Sequence, residues 1–421
     1  MSARVIRGNA LALPLADNSV DLICTSPPYF ALRSYQDAGE HYAGQIGSEA
    51  TPAAFVDALI AATREMVRVV KPSGSIWVNL GDKYSGAQAQ NIGGVNRAGD
   101  SARTWAQTNP KRTGIPNKSL MGVPWRYALR CIDDLGLILR AEVIWSKPNG
   151  LPESVTDRVR RSHETWFHFT REPRYYSAVD EIREPTEDIG RKAKTVKAGP
   201  LTGNHGSSGQ DGNGMRMTEV YNNPLGKLPG SVWTIPTEPL KVPAELGIDH
   251  FAAFPMEWPR RIIQGWSPSG VCTACGEGRR PVIAKGAPIE FVQTNPKRLA
   301  AGQAGNGTVG FRNAPSGQVW NAWKAEHPDT LTGYACACPE PTAPTTPAVV
   351  LDPFGGTGTT ALVAKALGRR GISVDMSADY CRLAKWRTTD EGELARALQV
   401  EKPAVQVEGQ TSLLDMLGEV S

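Results

Sequence analysis

The stretch Ala348-Val349-Val350-Leu351-Asp352-Pro353-Phe354-Gly355-Gly356-Thr357-Gly358-Thr359-Thr360, with its continuation to Asp375, decides the fold. Ala348 to Asp352 is an apolar run ending in an acid, as expected of a strand buried on both faces of a parallel sheet. A tight glycine turn leads into a helix running to Leu367, Gly368 stops it, and Gly371-Ile372-Ser373-Val374-Asp375 reads as the next strand. This is a complete βαβ unit. Its glycines let a ligand approach the backbone, and Asp375 is placed to bind ribose hydroxyls. Gly356 to Ala361 also matches the relaxed dinucleotide fingerprint, so a nicotinamide oxidoreductase stays open at this point. A Walker-type phosphate loop fits worse, because no Lys-Ser or Lys-Thr follows the last glycine. Asp352, just before the turn, would repel a pyrophosphate but suits a cationic amino acid such as the methionine end of S-adenosylmethionine.

A second centre lies near the start of the chain. Val20-Asp21-Leu22-Ile23-Cys24 reads as a buried strand, and Thr25-Ser26-Pro27-Pro28-Tyr29 forms a stiff polar corner at its carboxyl end, the sheet edge where ligands bind in open α/β folds. The two prolines remove two N–H donors and leave the Ser26 and Pro27 carbonyls free to accept hydrogen bonds. A planar amino group would fit there, with the Ser26 hydroxyl as another acceptor and Tyr29 as a flat face for an extruded base. The plain alternative is a turn after a strand.

Between these centres, Arg4 to Asn9 reads as a first strand. Thr51 and Pro52 open a helix whose apolar residues Phe55, Leu59, Ala62, Met66 and Val70 recur at helical spacing. Lys71-Pro72-Ser73-Gly74 ends it, and Ser75 to Leu80 is the next strand. Val123 to Leu135 is a helix, and Leu137 to Trp145 and His163 to Phe169 are strands. The intervening Gly86 to Ser119 is a basic loop carrying Arg97, Arg103, Lys111, Arg112 and Lys118. Arg183 to Lys227 is irregular, with Arg191, Lys192, Lys194 and Lys197 close together. Both are candidates for DNA contact, with solvated surface as the alternative. The hexapeptide Gln107 to Arg112 recurs as Gln293 to Arg298, too short to define a repeat architecture.

With 421 residues, 40% hydrophobic and 21% charged, the chain can bury a sizeable core, while 43 glycines and 32 prolines point to many loops. No apolar run approaches the roughly 18 residues of a membrane span, and the first residues lead into a strand, so a cytoplasmic protein without a membrane is expected. A net charge of +4 restricts any nucleic-acid site to a local basic surface.

Ser26-Pro27-Pro28-Tyr29 followed by Asp352-Pro353-Phe354-Gly355-Gly356-Thr357-Gly358-Thr359-Thr360 resembles the DNA amino-methyltransferases acting on cytosine N4 or adenine N6, in the circularly permuted β-group order. Asn79 to Asp82, Trp145 to Asn149, Val232 to Pro236 and His250 to Pro255 look like further landmarks of that family. The resemblance implies an α/β, doubly wound, mostly parallel class I methyltransferase fold, with S-adenosylmethionine as cofactor and double-stranded DNA as substrate. It gives Ser26, Pro27, Pro28 and Tyr29 to catalysis: Ser26 Oγ and the Pro27 carbonyl accept the hydrogens of the target amino group, and Tyr29 stacks on the base. In the cofactor site Asp352 and Phe354 face the methionine part, Gly356, Gly358 and Thr359 shape the loop, Asp375 holds the ribose, and Phe254 lines the same pocket. The family often has an acid where this chain has Asn9. Ser at the first catalytic position leans towards cytosine N4, with adenine N6 as the alternative. A non-catalytic DNA-binding protein retaining the fold is a further alternative.

The expected organisation is a catalytic half at 1–180, a candidate DNA-recognition insertion at 181–230, a return to the cofactor pocket at 231–265, a cysteine-containing insertion at 266–346, the cofactor βαβ unit at 347–395 and a tail at 396–421. Within that insertion Cys272-Thr273-Ala274-Cys275 and Cys336-Ala337-Cys338 are spaced to place four thiolates round one structural zinc, against the alternative of four unrelated cysteines. In the tail, Gln410-Thr411-Ser412-Leu413-Leu414 looks like the peptide by which bacterial proteins dock on the replication clamp, although an ordinary amphipathic turn also accounts for it.

Overall fold

The computed structural model describes residues 2–31, 36–37, 40–41, 44–86, 110–150, 153, 155–185, 226–248, 254–284, 326–327, 329–340 and 342–401. The chain divides into two compact units. The first comprises Met1–Val179, Gly230–Arg280 and Cys336–Ser421, and the second Asp180–Pro229 and Pro281–Ala335.

The first half of the chain supplies β1 (Ala3–Arg7), β2 (Val20–Thr25), α1 (Pro52–Val69), β3 (Val70–Leu80), α2 (Val123–Leu135), β4 (Ile138–Ser146) and β5 (His163–Thr170). The second half supplies β6 (Val232–Thr234), α3 (Glu257–Trp266), β7 (Val271–Cys272), β8 (Arg280–Ala284), β9 (Thr330–Ala335), β10 (Thr345–Thr346), β11 (Val349–Asp352), α4 (Thr359–Ala366), β12 (Arg370–Asp375), α5 (Ala378–Thr389) and α6 (Glu391–Leu398).

The central sheet has eight strands in the order β1-β12-β11-β2-β3-β5-β4-β6. β5 runs antiparallel to both of its neighbours, and every other pairing in the sheet is parallel. This is the class I methyltransferase fold in permuted order: the last βαβ unit of the chain enters the sheet between strands made at its beginning. β11 crosses through α4 to β12 on one side, and β2 crosses through α1 to β3 on the other. Their shared boundary, where Val350 pairs with Leu22 and Leu351 with Ile23, is therefore the topological switch point.

Local signals account for most of these elements. Thr51 Oγ1 accepts a hydrogen bond from the Ala54 amide at 3.2 Å to cap α1, and Phe55, Leu59, Ala62 and Met66 form its buried face. At α2 the cap residue is Gly122, which has no side chain to offer. Asp82 substitutes from across the fold, accepting from the amides of Gly122 and Val123 at 3.0 and 3.1 Å.

Lys71-Pro72-Ser73-Gly74 does not separate helix from strand as expected. β3 begins directly at Val70, and its register against β2 shifts from Val20↔Val70 to Leu22↔Ser75. The extra residues form a bulge, where proline is tolerated inside a ladder.

The two faces of β3 are packed differently. Ile76, Val78 and Leu80 join the aliphatic core shared with α1 and α2. Trp77 points the other way, stacking on His168 at 4.4 Å and lying 4.6 Å from Trp266 of α3. That layer continues through Trp258, whose ring stacks on Trp166 at 4.8 Å and Trp233 at 4.9 Å.

In the second unit, β8 pairs with β9, and Glu184 and Lys227 exchange backbone hydrogen bonds at 2.9 and 3.0 Å. Most of the expected DNA-contacting segments, 87–109 and 186–225, lie outside the described residues, as do the hexapeptide at 293–298, the first half of its earlier copy, and Gln410 to Leu414. No helix among the described residues is long and apolar enough to cross a membrane.

Candidate active site

The catalytic corner and the glycine turn meet at the switch point because β2 and β11 are neighbours. Thr25 Oγ1 donates to Asp352 Oδ1 at 2.6 Å, a buried bond across 327 positions of sequence. Thr360 Oγ1 donates to Asp352 Oδ2 at 3.0 Å and the Phe354 amide to Oδ1 at 3.1 Å. Asp352 is the residue expected to face the methionine part of the cofactor. It is 1% exposed, its oxygens face the strand, the turn and α4, and it is not among the residues lining the cavity. Its role is to tie the two centres together.

Burial raises the Asp352 carboxyl from 3.8 to about 6, against the lowering effect of its three donors. The native state therefore holds this proton more tightly than the unfolded chain does. Its contribution to stability, on the order of 3 kcal/mol, is full below about pH 4 and is lost as pH rises to about 6. Urea denaturation across that range should show a downward slope that Asp352→Asn flattens; an unchanged slope would contradict the assignment.

The cavity above this junction is lined by Ser26 and Pro28 from the corner, and by Pro353 to Thr357 and Thr359 from the turn. Asp375 and Phe254 of the expected residues also line it, as does Asn9, which carried no assigned role, and Gln45, Ile46, Met376 and Tyr380 line it without having been foreseen. Asp375 sits at the end of β12, where its Oδ2 accepts from the Gly356 amide at 2.8 Å and its Oδ1 from the Ser377 amide at 2.9 Å. Gly356 has φ +47°, which favours glycine. Gly358 serves packing: it has φ +76°, and a Cβ there would lie 2.8 Å from Ala384 Cβ on α5. Phe254 reaches the cavity from an edge-on contact with Trp166, at 5.9 Å.

Pro27 is buried and Tyr29 half-buried, and neither lines the cavity. Tyr29 lies against Gly81, where a Cβ would meet its Cε2 at 2.7 Å. Its hydroxyl is 2.5 Å from Asn79 Oδ1 and 2.6 Å from Glu164 Oε2, and Lys147 Nζ bonds the other Glu164 oxygen. Ser26 Oγ donates to the same Asn79 oxygen at 3.3 Å, while Asn79 Nδ2 donates to the Thr165 carbonyl at 3.2 Å. Asn79, Lys147 and Glu164 come from β3, the end of β4 and the start of antiparallel β5, all at one edge of the sheet. Asn79 and Lys147 fell within recognised landmarks without an assigned role, and Glu164 within a predicted strand. Their signal was a polar residue at the edge carrying the corner.

This chain of bonds has a chemical consequence. With its hydrogen directed to Asn79, Ser26 Oγ presents lone pairs to the cavity and acts there as an acceptor. Glu164 is a positioning residue in this scheme. Glu164→Gln and Tyr29→Phe should each lower the turnover of the acceptor reaction by about tenfold to a hundredfold with cofactor affinity unchanged. Their double variant should fall no further than the weaker single, because both cut the same chain; additive losses would argue for separate roles.

Burial pushes the Cys24 thiol well above its usual range, with the Asp352 charge adding to the rise. Cys24 is fully buried in β2 and serves as core.

The sequence matches the N6/N4 family model described as DNA methylase over residues 20–273 and 345–386, leaving out most of the cysteine-containing segment. The type II methyltransferase M.XycI of Xanthomonas campestris pv. cyanopsidis is 38% identical over 210 residues, 48% of this chain and 66% of that protein. The chain thus spans about two-thirds of that relative's length. M.SmaI of Serratia marcescens, also a type II methyltransferase, is 32% identical over 273 residues, covering 64% of this chain and 77% of that one. Among solved structures, the PvuII DNA methyltransferase (cytosine-N4-specific) aligns over 95% of this chain and 94% of its own, with a TM-score of 0.48 and 16% identity.

Proposed function

Because the chain belongs to the family of N6/N4 DNA methylases, we propose that it transfers a methyl group from S-adenosylmethionine to the exocyclic amino group of a base in double-stranded DNA, with cytosine N4 the favoured acceptor. The observation that carries the reading is the shared cavity: Ser26 and Asp375, each at the end of its own strand, line one space above the Thr25–Asp352 bond.

An exocyclic amino nitrogen is a poor nucleophile because its lone pair is delocalised into the ring. A hydrogen bond from one N–H group to Ser26 Oγ, which lines the cavity, and from the other to the Pro27 carbonyl, which the base would have to reach from outside that cavity, favours a pyramidal nitrogen with a localised lone pair and so stabilises the transition state more than the ground state. The bound cofactor supplies an electrophilic methyl group on a sulfonium sulfur. The localised lone pair would accept that methyl group from the sulfur, with the surplus proton leaving the nitrogen for solvent. Tyr29, fixed by Asn79, Glu164 and Gly81, is the stacking face proposed for the flipped base. Asp375 would hold the ribose hydroxyls, with Phe254 and Phe354 on the apolar parts of the cofactor. Asp352 and Gly358 act behind the site.

The preference for cytosine rests on Ser26 at the first position of the corner. Incubation with tritiated-methyl S-adenosylmethionine and unmethylated DNA of broad sequence content, followed by digestion to nucleosides, tests both claims. N4-methylcytosine supports both, N6-methyladenine overturns the base assignment alone, and no label in either nucleoside overturns the activity. We place this activity in the cytoplasm, with Gln410 to Leu414 as a contact for the replication clamp. Unchanged clamp binding after deletion of residues 409–421 would remove that contact.

A further inference from the structure

We propose that Cys272, Cys275, Cys336 and Cys338 hold one zinc ion as a closed four-thiolate staple that locks together the two ends of the segment between them. The four sulfurs all lie within 4.8 Å of one another. A tetrahedral site with Zn–S bonds of about 2.3 Å has sulfurs about 3.8 Å apart, so only a small inward movement is needed.

The backbone is arranged for thiolates. β7 pairs antiparallel with β10, Thr345 opposite Cys272, which brings the two ends of the segment side by side. After Cys272 the chain turns sharply: the Gly276 amide donates to the Cys272 carbonyl at 2.9 Å, and Gly276 takes φ +74°. The Cys272 amide in turn donates to the Glu277 carbonyl at 2.9 Å, which closes the turn between the first two cysteines. On the second pair, the Glu340 amide donates to Cys338 Sγ at 3.4 Å. Two turns, each closed by its own backbone, thus bring four sulfurs from the two ends of the segment into one cluster.

Four cysteine ligands leave no open coordination position, so the ion would be structural and take no part in methyl transfer. The surroundings explain its use. β9 is largely exposed and β8 alternates between exposed and half-buried, so neither gives the segment much core of its own. The base carrying the sulfurs is better anchored: Arg279 bonds the Ala343 carbonyl, and Tyr176 OH donates to the Arg279 carbonyl at 3.2 Å. A metal at this base closes a long loop whose two ends would otherwise be joined by two short strands.

Elemental analysis of the full-length protein, purified without chelator, tests the proposal independently of the methyl-transfer reading. One zinc per chain is expected, released in step with titration of four thiols by an organomercurial. Cobalt exchanged into the site should give the thiolate charge-transfer and visible bands of a tetrahedral four-sulfur site. Cys272→Ser and Cys336→Ser should each abolish stoichiometric zinc and speed proteolysis within 277–346, while Cys131→Ala should keep the metal. Metal-free wild-type protein, two disulfides among the four cysteines, or iron in place of zinc would each overturn the proposal, and none of these outcomes depends on a variant folding.

Discussion

Ser26→Ala will lower the rate constant for methyl transfer by about a hundredfold to a thousandfold, while S-adenosylmethionine binding stays within about twofold of wild type. The size follows from removing one preorganised group aimed at the charge that develops as the amino nitrogen attacks. The selectivity follows from geometry. Ser26 lines the cavity on the side of the corner, its hydrogen is taken by Asn79, and the acid expected to meet the ribose, Asp375, is anchored separately on the Gly356 and Ser377 amides. Single-turnover rates with cofactor affinity measured in parallel provide the check. A loss confined to cofactor affinity would place Ser26 in the wrong half of the site.

The second large effect lies behind the glycine turn, at Arg387 on α5. Its side chain is 2% exposed and pairs with Glu393 at 2.8 Å. Its Nη1 also donates to Thr357 Oγ1 at 3.0 Å and to Thr359 Oγ1 at 2.8 Å, both on residues that line the cavity. Arg387→Ala leaves Glu393 buried, with Arg396 as its remaining cationic partner among the described residues, and strips the turn of its support. We expect a destabilisation of about 3–5 kcal/mol in urea denaturation and weaker S-adenosylmethionine binding. Replacing both partners, Arg387→Met with Glu393→Leu, should recover most of the stability but not the affinity, because an apolar pair can fill the space without holding Thr357 and Thr359. Full recovery of affinity in the double variant would show that the hydroxyl contacts do not matter.

The legible parts of this protein were those encoded locally. The apolar run of β2, the capped and periodic α1, the amphipathic α2 and the glycine turn before α4 each carry their own pattern, and the order of the corner and the turn pointed to permutation. The bulge at Lys71 to Gly74 was missed because local turn preference was overridden by pairing with β2. The contacts of Asp352 were not legible, because Thr25, which donates to its Oδ1, comes beside it only once β2 and β11 are adjacent. Glu164, Lys147 and Asn79 converge from three strands, and Arg387 reaches the turn from a helix beyond it, so no spacing rule links them. The tryptophan layer under α3 was hidden for the same reason: Trp77, Trp166, Trp233, Trp258 and Trp266 are scattered in sequence and meet only through the sheet.

The central claim is that two distant segments form a single S-adenosylmethionine site, and titration calorimetry tests it most directly. The account predicts one site per chain, lost in Asp375→Ala, retained in Ser26→Ala, and not competed by NAD. Absence of S-adenosylmethionine binding together with binding of NAD, or binding indifferent to Asp375→Ala, would contradict it.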